Sequence, residues 1–96
     1  MGVAEILKEI REEILRIAAR HDAYNVHVFG SVARGDARPD SDVDLLVDVG
    51  PNPSFFFPGG LIADLENLLG RRVEIATKNG LHSYLRDRVL QEAVPL

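Results

Sequence analysis

The sequence predicts an α+β domain, in which a small mixed β-sheet carries helices packed mainly on one face. In three segments, apolar residues recur at steps of three and four, as is typical of amphipathic helices. Three short apolar runs alternate with these segments and are typical of strands. The order is helix, strand, a short turn or helix, strand, helix, strand, helix, which favours a single domain over residues 1–96.

The helices are expected over residues 3–19, 61–69 and 81–93. The first is charged on one side and apolar on the other, so its apolar stripe should dock on the sheet. The second ends at Gly70, a residue that commonly terminates helices. The third ends before Pro95, which cannot continue a helix.

The strands are expected at Val26–Phe29, Val43–Val49 and Val73–Ala76, with a connecting turn over residues 22–25 before the first of them. The second run is almost continuously apolar at its centre, which predicts a strand covered on both faces. The patterns leave the order of the strands in the sheet open, because strand order depends on contacts between distant segments.

Composition and charge narrow the classes of function. The chain has no cysteine, so it can form neither disulfides nor thiolate metal sites, and this fits a reducing cytoplasm. Its formal net charge is −4, whereas nucleic-acid binding proteins usually have a basic surface, so direct nucleic-acid binding is not expected. Its apolar runs are too short to cross a bilayer, so we expect a cytoplasmic protein without a membrane partner. The sequence leaves both homo-oligomers and hetero-oligomers open.

A small-residue turn and a pair of carboxylates carry most of the chemical information. Gly30 and Ser31 follow the first strand directly, and they offer close backbone approach and a hydroxyl donor, as a phosphate site requires. After a gap of ten residues, Asp42 and Asp44 stand one residue apart, so their side chains share a face. Such carboxylates repel each other unless a cation lies between them. The sequence therefore predicts a phosphate-binding turn that faces a site for one or two magnesium ions.

A site for two ions usually needs a third carboxylate, and Glu74 is the candidate. It interrupts the apolar run Val73–Ala76, where a buried carboxylate would be costly without a partner. The alternative is a side chain that simply faces solvent on an alternating strand. The nearby pair Asp42 and Asp44 favours the role of a ligand.

Two further polar residues of the loop are candidates for nucleotide binding. Arg34 could contact a phosphate, or it could brace the loop through Asp36 or Asp40. Ser41 could donate a hydrogen bond to a phosphate, or it could cap the turn before the second strand.

Three competing motifs fail at essential positions. Gly30–Gly35 has the glycine spacing of a P-loop, but Asp36 and Ala37 stand where lysine and serine or threonine are required. The glycine-rich fingerprint of dinucleotide-binding folds follows none of the expected strands. The loop aspartates imitate the start of an EF-hand, but Leu45 and Pro51 replace its glycine and final glutamate.

The segments from Gly30 to Gly35 and from Ser41 to Val47 resemble the signature of the DNA polymerase β-like nucleotidyltransferase superfamily. That signature is Gly-Ser, ten residues and then Asp-x-Asp. The fuller match resembles the minimal nucleotidyltransferase branch, whose members are stand-alone prokaryotic domains of about this length, and it covers nearly the whole chain.

The resemblance implies a role for each matching residue. Gly30 and Ser31 would hold the triphosphate of ATP, and Asp42 and Asp44 would hold magnesium. Glu74 matches the third carboxylate, which is expected to help activate the attacking hydroxyl. Many relatives have aspartate at that position, and glutamate is one methylene longer.

The resemblance also implies a partner. Members of this branch are commonly encoded beside a HEPN-domain ribonuclease toxin and act as its antitoxin. The implied activity is magnesium-dependent transfer of AMP from ATP to a tyrosine hydroxyl of that toxin. Two alternatives remain open, namely a catalytically silent antitoxin that neutralises by binding, and nucleotidyl transfer to a small molecule or RNA.

A loop with three consecutive phenylalanines, Phe55–Phe57, lies among prolines and glycines. All three rings cannot easily face inward. One could cover the core, and another could stack on a base or form a patch that binds a partner.

Overall fold

The computed structural model describes residues 2–96. In this part of the chain, five helices and four strands follow one another: α1 Val3–Glu9, α2 Arg11–Arg20, β1 Ala23–Phe29, α3 Gly30–Arg34, β2 Val43–Val49, α4 Gly59–Leu69, β3 Val73–Thr77, α5 Ser83–Glu92 and β4 Val94–Pro95. Between residues 2 and 96, every helix is too short or too polar to span a bilayer.

The four strands form one mixed sheet in the order β3-β2-β1-β4. β1 is antiparallel to both β2 and β4, whereas β2 and β3 are parallel and are connected through α4. The structure thus confirms the α+β class and adds the strand order, which the sequence left open.

The core lies between the helices and one face of the sheet. Val43, Leu45 and Val47 alternate along β2 and are essentially inaccessible to solvent. They pack in one cluster with apolar side chains of the helices, including Leu7, Ile14, Leu61 and Leu65. Each fully buried side chain of this kind contributes about 1.5–3 kcal/mol relative to exposure. On the opposite face of β2, the buried Leu46 lies between the partly buried Asp44 and Asp48.

The helix predicted over residues 3–19 is divided into α1 and α2 at Ile10. The φ and ψ angles of Ile10 are −105° and 19°, which depart from helical values. Hydrogen bonds from Ile10 N to Ile6 O (3.1 Å) and from Ile14 N to Ile10 O (3.0 Å) still cross the break. The apolar stripe therefore continues, and neither glycine nor proline marks the break in the sequence.

β1 begins at Ala23, three residues earlier than predicted, within the segment that was expected to form a turn. Asn25 has a positive φ of 52°, and the pairing with β2 changes register between Tyr24 and His27. This irregularity lets a segment with turn residues belong to the strand.

β4 is a strand that the sequence did not predict. It is two residues long and pairs with β1 through Val94 opposite Val28 and Pro95 opposite His27. So short a strand has no periodic pattern, and only the neighbouring strand defines it. The remaining helices and strands lie within two residues of their predicted bounds.

Candidate active site

The acidic residues predicted from the sequence lie along one edge of the sheet. Asp44, near the start of β2, lies directly opposite Glu74 of β3 and opposite Phe29 at the end of β1. Residues that face each other on neighbouring strands direct their side chains to the same face. Asp42 precedes Asp44 by two residues, just before β2 begins.

The carboxylates interact electrostatically. Partial burial is the main cause that raises the pKa of Asp44 to about 6, followed by the negative charge of the neighbouring Glu74. The charge of Asp42 raises the pKa of Asp44 further, and Arg34 acts in the opposite direction. The positive charge of Arg34 thus does not fully offset the repulsion among the three carboxylates. Either a proton or a cation would relieve this repulsion.

The donor set suits magnesium, because Asp42, Asp44 and Glu74 offer only carboxylate oxygens. Within residues 2–96, however, no three acidic, histidine or cysteine side chains already converge as a metal site. Glu74 is exposed, whereas Asp42 and Asp44 are partly buried. A cation at this edge would therefore draw the exposed Glu74 side chain towards the two aspartates.

The turn at Gly30 lies directly against this acidic group. Gly30 has a φ of 74°, in the left-handed region, and a Cβ atom at this position would overlap the carboxylate of Asp44. Only glycine satisfies both requirements. Behind the turn, Val32 of the short helix α3 is buried in the core and fixes the position of the turn.

Ser31 and Ser41 differ in the hydrogen bonds that their hydroxyl groups form. The carbonyl of Ser31 accepts a hydrogen bond from Asp36 N (3.1 Å), and its hydroxyl bonds to no other residue of the range 2–96. The hydroxyl of Ser41 accepts a hydrogen bond from Arg38 N (2.7 Å), and Ser41 N donates to Arg38 O (2.9 Å). Ser41 therefore caps the turn before β2, whereas the Ser31 hydroxyl is available to a ligand.

Arg34 braces the loop, but chiefly through a residue that the sequence did not indicate. Its Nη1 atom donates to both carboxylate oxygens of Glu92 in α5, at 3.1 Å and 3.2 Å. Its Nε atom donates to Asp36 at 3.3 Å. These bonds, with Glu92 first, raise the pKa of Arg34 above its usual value. No local pattern could have indicated Glu92, which lies 58 residues further along the chain.

The phenylalanine loop is remote from the acidic group, because it follows the opposite end of β2. Phe57 packs against the core, whereas Phe55 and Phe56 are 92% and 76% exposed and contact each other edge to face. At the same end of the sheet, His21 bridges Ser54 and Asp64 through its two ring nitrogens, at 2.6 Å and 2.7 Å. No local pattern in the sequence indicated this bridge, whose residues lie 33 and 43 positions apart.

Residues 5–96 match the family model of the nucleotidyltransferase domain. The chain belongs to this nucleotidyltransferase family. The protein adenylyltransferase MntA of Thermococcus cleftensis is 42% identical over 87 residues, which cover 91% of this chain and 81% of that protein. The resemblance to nucleotidyltransferases that the Gly30–Ser31 and Asp42–Asp44 motifs predicted is thus confirmed, and the chain is a nucleotidyltransferase.

Solved structures agree with this assignment. A protein provisionally named a minimal nucleotidyltransferase is 49% identical to this nucleotidyltransferase, with a TM-score of 0.84, and the match covers 97% of this chain and 95% of that one. The fold also resembles a toxin-antitoxin crystallised with AMP-PNP, with a TM-score of 0.74 over 88% of this chain and 69% of that one. At 17% identity, this second likeness concerns the fold alone.

Proposed function

We propose that this nucleotidyltransferase transfers AMP from ATP to a tyrosine hydroxyl of a toxin and thereby acts as its antitoxin. The main support is the position of the Gly30 turn against Asp44, which itself faces Glu74. The similarity to a protein adenylyltransferase supports a protein acceptor. The toxin is proposed to be a HEPN-domain ribonuclease, and ATP as donor fits a cytoplasmic protein.

The phosphates of ATP are assigned to the turn and its neighbours. Gly30 allows the phosphates to approach the backbone, and the free hydroxyl of Ser31 can donate to a phosphate oxygen. Arg34 supplies a positive charge beside them, since its side chain is 46% exposed. Ser41 contributes indirectly, because it shapes the turn that leads into Asp42.

The carboxylates of Asp42, Asp44 and Glu74 would hold magnesium. When bound, magnesium neutralises phosphate charge and makes the attacking hydroxyl easier to deprotonate. The chain itself contributes the placement of these oxygens beside the phosphate turn. Placement of this kind supplies much of the catalysis in phosphoryl-group transfers.

At the α-phosphorus one bond forms and one breaks, while a proton moves from the acceptor hydroxyl to a carboxylate. The acceptor oxygen attacks the α-phosphorus of ATP, the bond from that phosphorus to the oxygen bridging to the β-phosphate breaks, and pyrophosphate leaves. The hydroxyl proton passes to Glu74, whose exposed carboxylate an acceptor protein can reach. Glu74 lies opposite Asp44 in the strand register, which places this proton acceptor beside the other carboxylates.

The test uses the full chain, the toxin from the adjacent gene, magnesium and ATP labelled at the α-phosphate. Label should enter a tyrosine of the toxin with the natural protein and be lost with Asp42→Asn. Asp40→Asn is the matched control, because Asp40 is exposed in the same loop and forms none of the observed side-chain bonds. The proposal fails if the natural protein transfers no label or if Asp42→Asn transfers as much.

A second candidate function is neutralisation by binding alone. The exposed pair Phe55 and Phe56 supports it, because these rings could bind a partner at a distance from the carboxylates. It predicts that a folded Asp44→Ala variant still protects cells from the toxin. If Asp44→Ala binds the toxin but no longer protects, transfer is required. Label in RNA or a small molecule, with none in the toxin, would indicate a different acceptor.

A further inference from the structure

The C-terminal helix contributes a carboxylate to the turn that we assign to phosphate binding. Glu92 Oε1 accepts a hydrogen bond from Gly30 N at 2.6 Å. The same carboxylate accepts from Arg34 Nη1. One side chain thus connects the backbone of the turn to the positive charge beside it.

The local backbone requires such a partner. Gly30 begins α3, and the residue before it, Phe29, supplies no side-chain cap. The first amides of a helix lack partners within that helix. Glu92 is the acceptor for Gly30 N, although it lies 62 residues away in the sequence.

The Glu92 carboxylate belongs to a fixed part of the fold. Its side chain is only 18% exposed, and such burial is tolerated because the oxygens accept hydrogen bonds. The chain just after it is tied down, since β4 pairs with β1, Leu96 N donates to Val26 O (3.1 Å) and Arg11 Nε donates to Leu96 O (2.7 Å). These contacts hold the end of α5, and with it the backbone of Glu92, beside the turn.

Arg34 keeps one N–H group, Nη2, free of hydrogen bonds within residues 2–96 while its Nη1 atom is bonded to Glu92. Its Nη1 and Nε atoms bond to Glu92 and Asp36, respectively. Its Nη2 atom makes no hydrogen bond to any other residue between 2 and 96. Two carboxylates therefore fix the plane of the guanidinium, and one edge remains available for an anion.

We propose that Glu92 is a positioning residue that holds Arg34 and the Gly30 turn ready for the phosphates of the nucleotide. This inference rests on the proposed function, because it assigns the phosphates to that turn. Glu92 acts through these two partners and does not itself touch the nucleotide. In the opposite arrangement, Glu92 would occupy the phosphate position, and the nucleotide would have to displace it. Substitution of Glu92 would then strengthen nucleotide binding.

The test is titration of the full chain with AMP-PNP and magnesium. Glu92→Ala should weaken binding about tenfold, the usual effect of losing a hydrogen bond to a charged group. The control is Asp87→Ala on the same helix, because Asp87 is exposed and no side-chain bond to it is observed. Thermal unfolding of each variant shows that it is folded at the temperature of the titration.

A double variant separates positioning from general support of the fold. If Glu92 acts through Arg34, Glu92→Ala should weaken binding much less in an Arg34→Ala background than in the natural chain. Equal losses in both backgrounds would overturn the inference. If Glu92→Ala does not fold, Glu92→Gln replaces it, since its amide oxygen still accepts from Gly30 N while its pairing with Arg34 is weaker.

The direction of the effect decides between the two arrangements. AMP-PNP binding that is unchanged or tighter in the folded Glu92 variants overturns the positioning role and leaves the proposed function intact. If the natural protein binds no AMP-PNP, the proposed function fails, and the role of Glu92 fails with it.

Discussion

Asp44 and Glu74 face each other across the parallel strands β2 and β3, and the charge of Glu74 helps to raise the pKa of Asp44. The two residues are separated by α4 in the chain, but the register of the strands makes them neighbours.

The first prediction concerns Glu74→Gln. Removal of this charge should lower the pKa of Asp44 from about 6 towards its ordinary value, because a source of repulsion is lost. AMP transfer should fall by at least about a hundredfold, the usual contribution of a group that accepts the proton in the reaction. Carbon-13 NMR of the Asp44 carboxyl measures the first effect, and labelled ATP measures the second. An unchanged Asp44 titration would contradict the pairing, and Glu12→Gln on the exposed face of α2 is the control.

The second prediction concerns the pH dependence of stability without divalent cations. The pKa of Asp44 is raised in the folded protein from 3.8 to about 6, so the folded state holds this proton more tightly than the unfolded chain. The resulting stabilisation is complete below about pH 4 and is lost as the pH rises through 6.

Urea unfolding in EDTA at several pH values measures this effect. Between pH 4 and 7, the natural protein should lose on the order of 1 kcal/mol more stability than Asp44→Asn, after allowance for solvent screening of a partly exposed group. Parallel stability curves for the two proteins would show that Asp44 has an ordinary pKa.

The third prediction compares alanine substitutions at two glycines. Gly30→Ala should abolish detectable transfer, because the new methyl group overlaps the Asp44 carboxylate and displaces it. Gly35→Ala is the matched control, since its φ is 81° and no heavy atom lies within 4 Å of the added Cβ. Both variants carry a strain of about 1–2 kcal/mol from a left-handed alanine, which urea unfolding measures. Equal activity of the two variants would refute the close contact of Gly30 with Asp44.

The fourth prediction concerns the opposite end of the sheet. His21→Ala should destabilise the fold by about 1–3 kcal/mol, because it removes the bonds to Ser54 and Asp64 from a side chain that is 12% exposed. Limited proteolysis should then cut the loop over residues 51–58 sooner. AMP transfer at a temperature where the variant is folded should be unchanged, since the bridge is remote from Asp44. His82→Ala, at an exposed position, is the control.

Much of the fold could be predicted because apolar periodicity is a local property. The long apolar run of β2 and the stripe of α4 identified both elements within two residues of their bounds. The failures have local causes as well. Ile10 carries no breaker signal, Asn25 combines a turn residue with a strand position, and β4 is too short to show a pattern.

The residues of the candidate site could likewise be predicted only in part from the sequence. Gly30, Ser31, Asp42 and Asp44 lie in one segment, and their spacing identified them together. Glu74 could be named as a candidate, but the strand register was needed to place it opposite Asp44. The roles of all five in binding and catalysis remain predictions that the experiments above test.

By itself, the sequence determined the α+β class, the nucleotidyltransferase resemblance and the residues of the Gly30–Asp44 segment, because all three depend on patterns between near neighbours. Only the tertiary structure decided that Asp44 meets Glu74 and that Glu92 holds both Gly30 and Arg34. Such partners are set by strand order, register and the docking of the last helix. These depend on how the whole core packs, and no local pattern in the chain records them.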